Sequence, residues 1–447
     1  MASLKVHSIK YKNNSLFIYR KERRSFLFQP QNGTSMILQD IDVTSGEDIN
    51  HRLEELLLHR GLLDGTVEQE RCSIPSFFLI DMTKACNNRC LYCFRDLKQD
   101  RSITNDKLVD ILNFIKNNCR RNNVNRITFQ PWGGEPLLQW EKIKQVHDFF
   151  NNEGIDVRIL LETNGVAVTK RIAKEAFERN ILMSISLDGP EIIHNRQRPL
   201  LGYGGSYDKS IQGLKILQDA GYGDNIGALC VLTRFSIPFI EDIMSFFSEE
   251  LKLHRVKTNI VKYSPYTHKR QLCLYPEEIP SICTRLVNRL LDINKRGLRF
   301  GESNLVNVFH NLLSRRKINF CNSRGCQAGA KMISFDMDGK IYPCDLTDHT
   351  DVSFGSIYDN KSLIQILYER RFSEFLNIKD TINCKKCLWY FYCRGGCTSS
   401  CYFSKDKIDN SDCERNKTLY NLAIDIILSY PDMIERMTNG EICLYCT

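Results

Sequence analysis

Long hydrophobic runs are missing from this chain of 447 residues. No apolar stretch approaches about 18 residues, so no segment is expected to cross a membrane as a helix. The opening residues, MASLKVHSIKYKNN, lack an apolar core followed by a small-residue cleavage site. No secretion signal is therefore expected, and the cytoplasm is the expected compartment. Proline (12) and glycine (25) are too sparse for a long disordered tract. The net charge of +8 is mild on this length, and no basic patch is interleaved with aromatics. Nucleic acid is not an expected partner. Internal repeats are also missing.

Cysteine, by contrast, is plentiful. Nineteen cysteines would suit a disulfide scaffold only in a small secreted chain, which this is not. Nine of them crowd between Cys321 and Cys413. Clustered thiols in a cytoplasmic protein are more often metal ligands than bridges. Cys86, Cys90 and Cys93 form a second group, in ACNNRCLYCF, with the spacing C-x3-C-x2-C. Three thiolates leave a four-iron, four-sulfur cluster one ligand short, with one iron open to a small molecule. Structural metal sites close every position, so an open one points to chemistry. A zinc knuckle, or three unrelated thiols, is the plainer alternative.

The chain divides by pattern. Leu4–Ile9, Ser15–Tyr19 and Ser25–Phe28 read as short strands, and Ile49–Leu58 as a helix. From about 75 to 300, apolar runs alternate with helical segments. The runs are Phe77–Ile80, Ile127–Phe129, Val157–Leu161, Ile181–Ile185, Ala228–Leu232 and Val256–Ile260. Asp106–Ile115 and Ile143–Phe150 are helices between them. Such alternation predicts an α/β fold with a parallel sheet, and six units suggest a partial (β/α)6, TIM-like barrel. The three-cysteine loop follows the first strand, on the face where barrels carry reactive loops. Beyond about 315, periodicity is weak apart from a helix near Lys361–Leu376, so metal is expected to hold that region.

With Tyr92 before its last cysteine, the loop resembles the signature of the radical S-adenosylmethionine (radical SAM) enzymes. Further stretches agree in order: GGEP (Gly133, Gly134, Glu135, Pro136), Thr163-Asn164-Gly165, SISLDGP (Ser184 to Pro190) and HNRQR (His194 to Arg198). The resemblance implies S-adenosylmethionine contacts at Tyr92, Gly133, Gly134, Glu135, Asn164, Ser186, Asp188, Arg198 and Leu232. Arg198 would pair its fork with the cofactor carboxylate. Asn195 departs from the aspartate usual at its position. The C-terminal cysteines are similar to the SPASM pattern, with Cys321 as an eighth thiol. By that resemblance Cys321, Cys326, Cys344 and Cys397 would hold one auxiliary cluster. Cys384, Cys387, Cys393 and Cys413 would hold another. Three [4Fe-4S] clusters are thus implied, with zinc the rival ligand for the C-x2-C units. Cys401, Cys443 and Cys446 stay unassigned. Asp345, directly after Cys344, is a candidate base, or simply a turn residue.

The expected organisation is a leader-binding or capping α+β unit at 1–72, a radical SAM domain at 73–310 and an SPASM domain at 311–447. The N-terminal unit loosely resembles the three-strand, three-helix domain that holds leader peptides. The expected activity is that of a peptide maturase forming a thioether, carbon–carbon or ether crosslink in a ribosomally made precursor with a leader. The alternative is an anaerobic sulfatase-maturing enzyme that makes formylglycine from Cys or Ser. Either implies an electron donor such as flavodoxin or ferredoxin. A non-enzymatic sensor would have no need of the GGEP and SLDG loops.

Overall fold

The computed structural model describes residues 5–11, 14–41, 43, 45–63, 74–95, 100–202, 204–262, 270–314, 320–321, 325–348, 350–378, 383–404 and 409–444. Four N-terminal strands, β1 (Lys5–Tyr11), β2 (Asn14–Lys21), β3 (Arg24–Gln29) and β4 (Thr34–Gln39), form an antiparallel sheet in chain order. Side chains alternate across a strand, so the sheet has two apolar faces to cover. Leu16, Ile18, Leu27 and Leu38 meet Leu53 and Leu57 of the helix His51–His59. Tyr19, Phe26 and Phe28 face the other way, into the main core. The unit has a fourth strand beyond the three read from the sequence, and one α-helix among the described residues, where one was read.

That second face is covered by the C-terminal region. Trp389 lies 6.2 Å from Tyr19 and 5.3 Å from Phe28, ring centre to ring centre. Tyr420 stacks on Trp389 at 4.7 Å and on Tyr392 at 5.5 Å. Lys21 pairs with Asp425 at 2.6 Å. The N-terminal sheet is therefore one wall of the C-terminal core.

The main sheet begins with β5 (Phe77–Thr83), β6 (Arg126–Gly133), β7 (Asp156–Thr163), β8 (Leu182–Ser186), β9 (Gly227–Leu232), β10 (Arg255–Ile260) and the short β11 (Gly301–Glu302). Each pairs in parallel with the next. Helices such as Asn105–Arg121, Trp140–Asn152, Lys170–Glu178 and Ile279–Lys295 cover the outer face. All six apolar runs are strands, as a partial barrel requires. The sheet does not close on itself among the described residues. Instead it is extended past β5 by β12 (Met332–Phe335), β13 (Lys340–Tyr342) and β14 (Gly355–Ser356). Strand β12 pairs with β5 in parallel, and β13 folds back antiparallel. The helix of 20 residues at Asn410–Ser429 then packs on Ile279–Lys295. So the C-terminal region has more regular structure than its weak periodicity suggested. No helix among the described residues is long and apolar enough to cross a membrane.

The end of β8 is pinned by a buried histidine. His194 Nε2 lies 2.9 Å from Ser206 Oγ, which donates to the Arg198 carbonyl and accepts from Asn88 Nδ2 at 3.2 Å. His194 Nδ1 accepts from the Asp188 amide at 3.4 Å. With the serine proton given to Arg198, Nε2–H donates and Nδ1 accepts, which is the neutral ring. Burial drives its pKa down to about 4, and the Arg198 charge acts in the same direction.

Two predictions follow from this packing. Phe28→Ala should cost about 3–5 kcal/mol, because it empties a closed aromatic cluster. The denaturant midpoint reads that loss directly. For His194, the unfolded ring binds a proton below about 6.5 and the folded ring does not until about 4. Stability should therefore be intact above the ordinary histidine range and fall with pH between those values, by up to about 3 kcal/mol. His194→Gln should be flatter over that window in chemical denaturation, and equal slopes would refute the assignment.

Candidate active site

The loop from Lys84 to Arg95 leaves β5 carrying Cys86, Cys90 and Cys93, each half-buried. It is held from both sides by main-chain bonds. On one side Gly134 N donates to Thr83 O at 2.7 Å and Glu135 N to Ala85 O at 2.9 Å. This approach is possible only for glycine. A Cβ on Gly133 would sit 2.2 Å from Thr83 O, and one on Gly134 2.2 Å from Ala85 O. On the other side Arg89 N donates to Pro199 O, Leu91 N to Gln197 O, and Leu201 N to Asn87 O. The GGEP and HNRQR stretches thus share one task, which is to grip the cysteine loop. The role of Gln197 to Leu201 rests on backbone atoms, which leave no side-chain signal in the sequence.

Burial pushes the Cys86 thiol up to about 11 and the Cys90 thiol to about 12, and raises Cys93 as well. Cys90 feels the charge of both Cys86 and Cys93, and Cys86 feels that of Cys93. Only a cation would draw all three down together, since a coordinated thiol is deprotonated outright. Among the described residues no three His, Cys, Asp or Glu converge tightly enough for a single metal ion. A group larger than one ion fits these three donors. Asn88 Oδ1 and Trp132 Nε1 are buried with no hydrogen-bond partner among the described residues, so polar capacity is left over beside the loop.

Around the loop lie the other predicted residues. Asp188 Oδ2 accepts from Tyr92 OH at 2.7 Å and from Gln197 Nε2 at 3.0 Å, and lies 3.1 Å from Arg198 Nε. Its Oδ1 accepts from the Val231 amide at 3.0 Å. Arg198 Nη1 reaches Cys90 Sγ at 3.9 Å. Asp188 thus holds the arginine fork against the cysteine loop. Glu135 accepts from Thr163 Oγ1 at 2.7 Å and the Asn164 amide at 2.8 Å. Asn164 Nδ2 in turn reaches Cys86 Sγ at 3.8 Å. Ser186 ends β8 half-buried. Leu232 lines an apolar cavity with Ile260, Leu274, Ile282 and Leu419; its neighbour Val231 is the one bonded to Asp188.

The C-terminal thiols gather in two places. Cys344 follows β13, buried, with Sγ 3.0 Å from Ser399 Oγ. It feels Cys326 and Cys397, and Cys321 feels Cys326. Cys413 feels Cys387 and Cys384. Cys393 accepts from Asn416 Nδ2 at 3.5 Å, one turn beyond Cys413 on the same helix. Of the unassigned thiols, Cys401 is buried and donates to Gly395 O, and Cys443 is half-buried. Cys446 lies outside the described residues.

Asp345 sits between the first C-terminal group and the three-thiol loop. Burial pushes its carboxyl up to about 6, against the pull of Arg95, and Glu162 adds to the rise. Arg95 is buried between Asp81 at 2.7 Å and Asp348 at 3.1 Å. Gln130 bonds Glu162, and the charges of Lys257 and Arg198 also reach it. Arg95, Glu162 and Lys257 were missed in the sequence. The last two had no distinguishing signal, since β7 also carries Asp156 and Arg158, and β10 also carries Arg255 and Asn259.

Comparisons with known proteins match this geometry. The radical SAM superfamily model covers residues 80–246, and the SPASM model, an iron–sulfur cluster-binding domain, covers 326–388. A cysteine-type anaerobic sulfatase-maturating enzyme of Clostridium novyi is 28% identical over 352 residues, 76% of this chain and 92% of that one. The solved anSMEcpe with bound AdoMet and Cp18Cys peptide aligns at TM-score 0.67 and 22% identity, over 82% of this chain and 99% of that one. Streptococcus suis SuiB bound to precursor peptide SuiA aligns at 0.53 and 16%, over 86% and 94%. The likeness to both structures is one of fold. Loop, sheet and C-terminal cysteines agree with these two models: the chain carries a radical SAM domain over residues 80–246 and an SPASM domain over 326–388.

Proposed function

We propose that the protein oxidises a residue within a peptide or protein segment, after removal of a hydrogen atom from that residue. The observation that carries this reading is Asp345, a carboxyl pushed to about 6, one residue from Cys344 and joined through Arg95 to the three-thiol loop. A base at the junction of two cysteine groups is suited to receive a proton from a substrate undergoing oxidation. Cys86, Cys90 and Cys93 would hold a four-iron cluster with one open iron. Arg198, Asn164, Ser186, Tyr92, Gly133, Gly134, Glu135, Asp188 and Leu232 would surround S-adenosylmethionine. When bound, that pair supplies a 5′-deoxyadenosyl radical. Arg198 would offset the cofactor carboxylate, and Asp188 would keep Arg198 and Tyr92 in place. Cys321, Cys326, Cys344 and Cys397, and then Cys384, Cys387, Cys393 and Cys413, would hold two auxiliary clusters. An external donor such as flavodoxin or ferredoxin would supply the electron.

From sequence alone a crosslinking maturase was the favoured reading. The relatives favour the other, oxidation of Cys or Ser to formylglycine, because the Clostridium novyi enzyme resembles this chain over nearly its whole length. In that reaction Asp345 would take the proton from the substrate hydroxyl or thiol as a carbonyl or thiocarbonyl forms. The electron left on the substrate would pass to the iron–sulfur group that Cys321, Cys326, Cys344 and Cys397 would hold. A thiocarbonyl would then exchange its sulfur for the oxygen of water, with release of hydrogen sulfide. One observation keeps crosslinking as a second reading: among the described residues strand β1 has a ladder partner on one side only, and an open strand edge is where an extended peptide could add.

The deciding experiment incubates the anaerobically reconstituted chain with a Cys- or Ser-bearing sulfatase segment, and separately with a leader-bearing precursor. An aldehyde trapped by a hydrazine in the first supports formylglycine. Loss of two hydrogens without aldehyde in the second supports a crosslink. Reconstituted protein should carry about twelve irons, and stoichiometric zinc with fewer than about four irons would overturn the cluster assignment. Replacing Cys86, Cys90 and Cys93 together by Ala should abolish 5′-deoxyadenosine release while auxiliary iron remains. Asp345→Asn should lower product formation by about 10²–10⁴-fold while 5′-deoxyadenosine is still released. Unchanged turnover in that variant would remove Asp345 from its role.

A further inference from the structure

A buried ion cluster ties the two C-terminal cysteine groups together. Lys262 leaves the barrel just after β10. Its Nζ lies 2.9 Å from Asp412 Oδ1 and 3.7 Å from Asp409 Oδ2. Both aspartates stand at the N-terminus of the helix Asn410–Ser429, where Asp409 Oδ1 accepts from the Asp412 amide at 3.0 Å. Ser400 Oγ donates to Asp409, and Arg415 donates to Asp412. The Cys397 amide donates to the Asp412 carboxylate. A Cβ on Gly396 would lie 3.2 Å from that carboxylate, so the turn carrying Cys397 is pressed against it. Asp412 is also the residue before Cys413.

The two cations of this cluster do different things. Arg415 points toward Cys283 and Glu302, whereas the Lys262 charge reaches Cys397 and Cys321. Both of those thiols belong to the first group. With Lys262 and Arg415 the four charges balance. Without Lys262, one uncompensated negative charge would stand behind Cys397, in a medium where charges act strongly.

We infer that Lys262 is a positioning residue that raises the reduction potential of the auxiliary centre held by Cys321, Cys326, Cys344 and Cys397. Iron–sulfur potentials follow the net charge and hydrogen bonding around the sulfurs, and a nearby cation favours the more negative, reduced form. The inference rests on the cluster assignment proposed above, not on the identity of the peptide.

The test is a dithionite titration of the full reconstituted chain, followed by electron paramagnetic resonance. Lys262→Met should shift the midpoint of one auxiliary signal downward, and Lys262→Arg should restore it. The signal lost in the triple Cys86, Cys90, Cys93 variant should not move. Lys262→Gln removes the charge but keeps a hydrogen bond to Asp412, and should shift the same signal. An unmoved midpoint in both neutral variants at full iron overturns the inference. So does loss of auxiliary iron in both that Lys262→Arg retains, since Lys262 would then be a clamp. Wild-type protein with no auxiliary signal overturns the cluster assignment and this inference with it. A normal wild-type signal beside an unmoved variant overturns this inference alone.

Discussion

Arg95, closed between Asp81 and Asp348, is the contact on which the rest of the site depends. Asp81 belongs to β5, Arg95 ends the three-thiol loop, and Asp348 follows the C-terminal hairpin. Asp348 is in turn fixed by Ser334 of β12 at 2.8 Å. Burying one cation between two carboxylates is costly unless the geometry is good, and removing one partner leaves an uncompensated charge. The three segments therefore cannot shift independently. Strand β5 has β6 on one edge and β12 on the other, so sheet hydrogen bonds enforce the same arrangement. One cysteine loop and one cysteine hairpin end up on neighbouring strands, with Asp345 between them.

Much of this was legible in the chain because the signals were local. Six apolar runs spaced by helices give a parallel sheet from patterning alone, and C-x3-C-x2-C marks the loop that the GGEP stretch and Gln197 to Leu201 grip. The GGEP glycines announced a close approach without saying to what. Ala85 and Thr83 are the answer, and they carry no motif. The parts that were missed are long-range. Strand β12 joins β5 across more than half the chain, and a run as short as Met332–Phe335 gives no period to read. The helix Asn410–Ser429 escaped because it is buried on most sides, so it has no polar stripe to contrast with an apolar one.

The N-terminal sheet shows how context changes a sequence reading. Its strands were visible, but the reason for Tyr19, Phe26 and Phe28 was not, because their partners Trp389, Tyr392 and Tyr420 lie far along the chain. A detachable leader-binding module would hide its apolar residues within itself. Here one face is completed by the C-terminal region, so folding of the two is linked. The edges differ as well. At β4, Ser35 bonds Leu312 O, which ties that edge to the barrel helices, whereas among the described residues β1 has β2 as its one ladder neighbour. Strand addition, if this protein uses it, has a single side to work from.

The distribution of charge separates the two C-terminal cysteine groups. Near the first stand Lys257 and Lys262, both acting on Cys321, while Arg95 acts on the adjacent Asp345. Near the second, Lys417 acts on Cys413 but sits beside Glu414, and the two largely cancel. The described cations weigh more on the first group, where Asp345 and Asp412 oppose them, than on the second. Arg95 and Lys257 restrain the rise of the Asp345 carboxyl, which burial alone would carry further. If Asp345 takes a proton as the first group takes an electron, its own negative charge disappears while one forms beside it, so the two events would favour each other. The cations would favour the electron, and Arg95 and Lys257 hold the basicity of Asp345 in check.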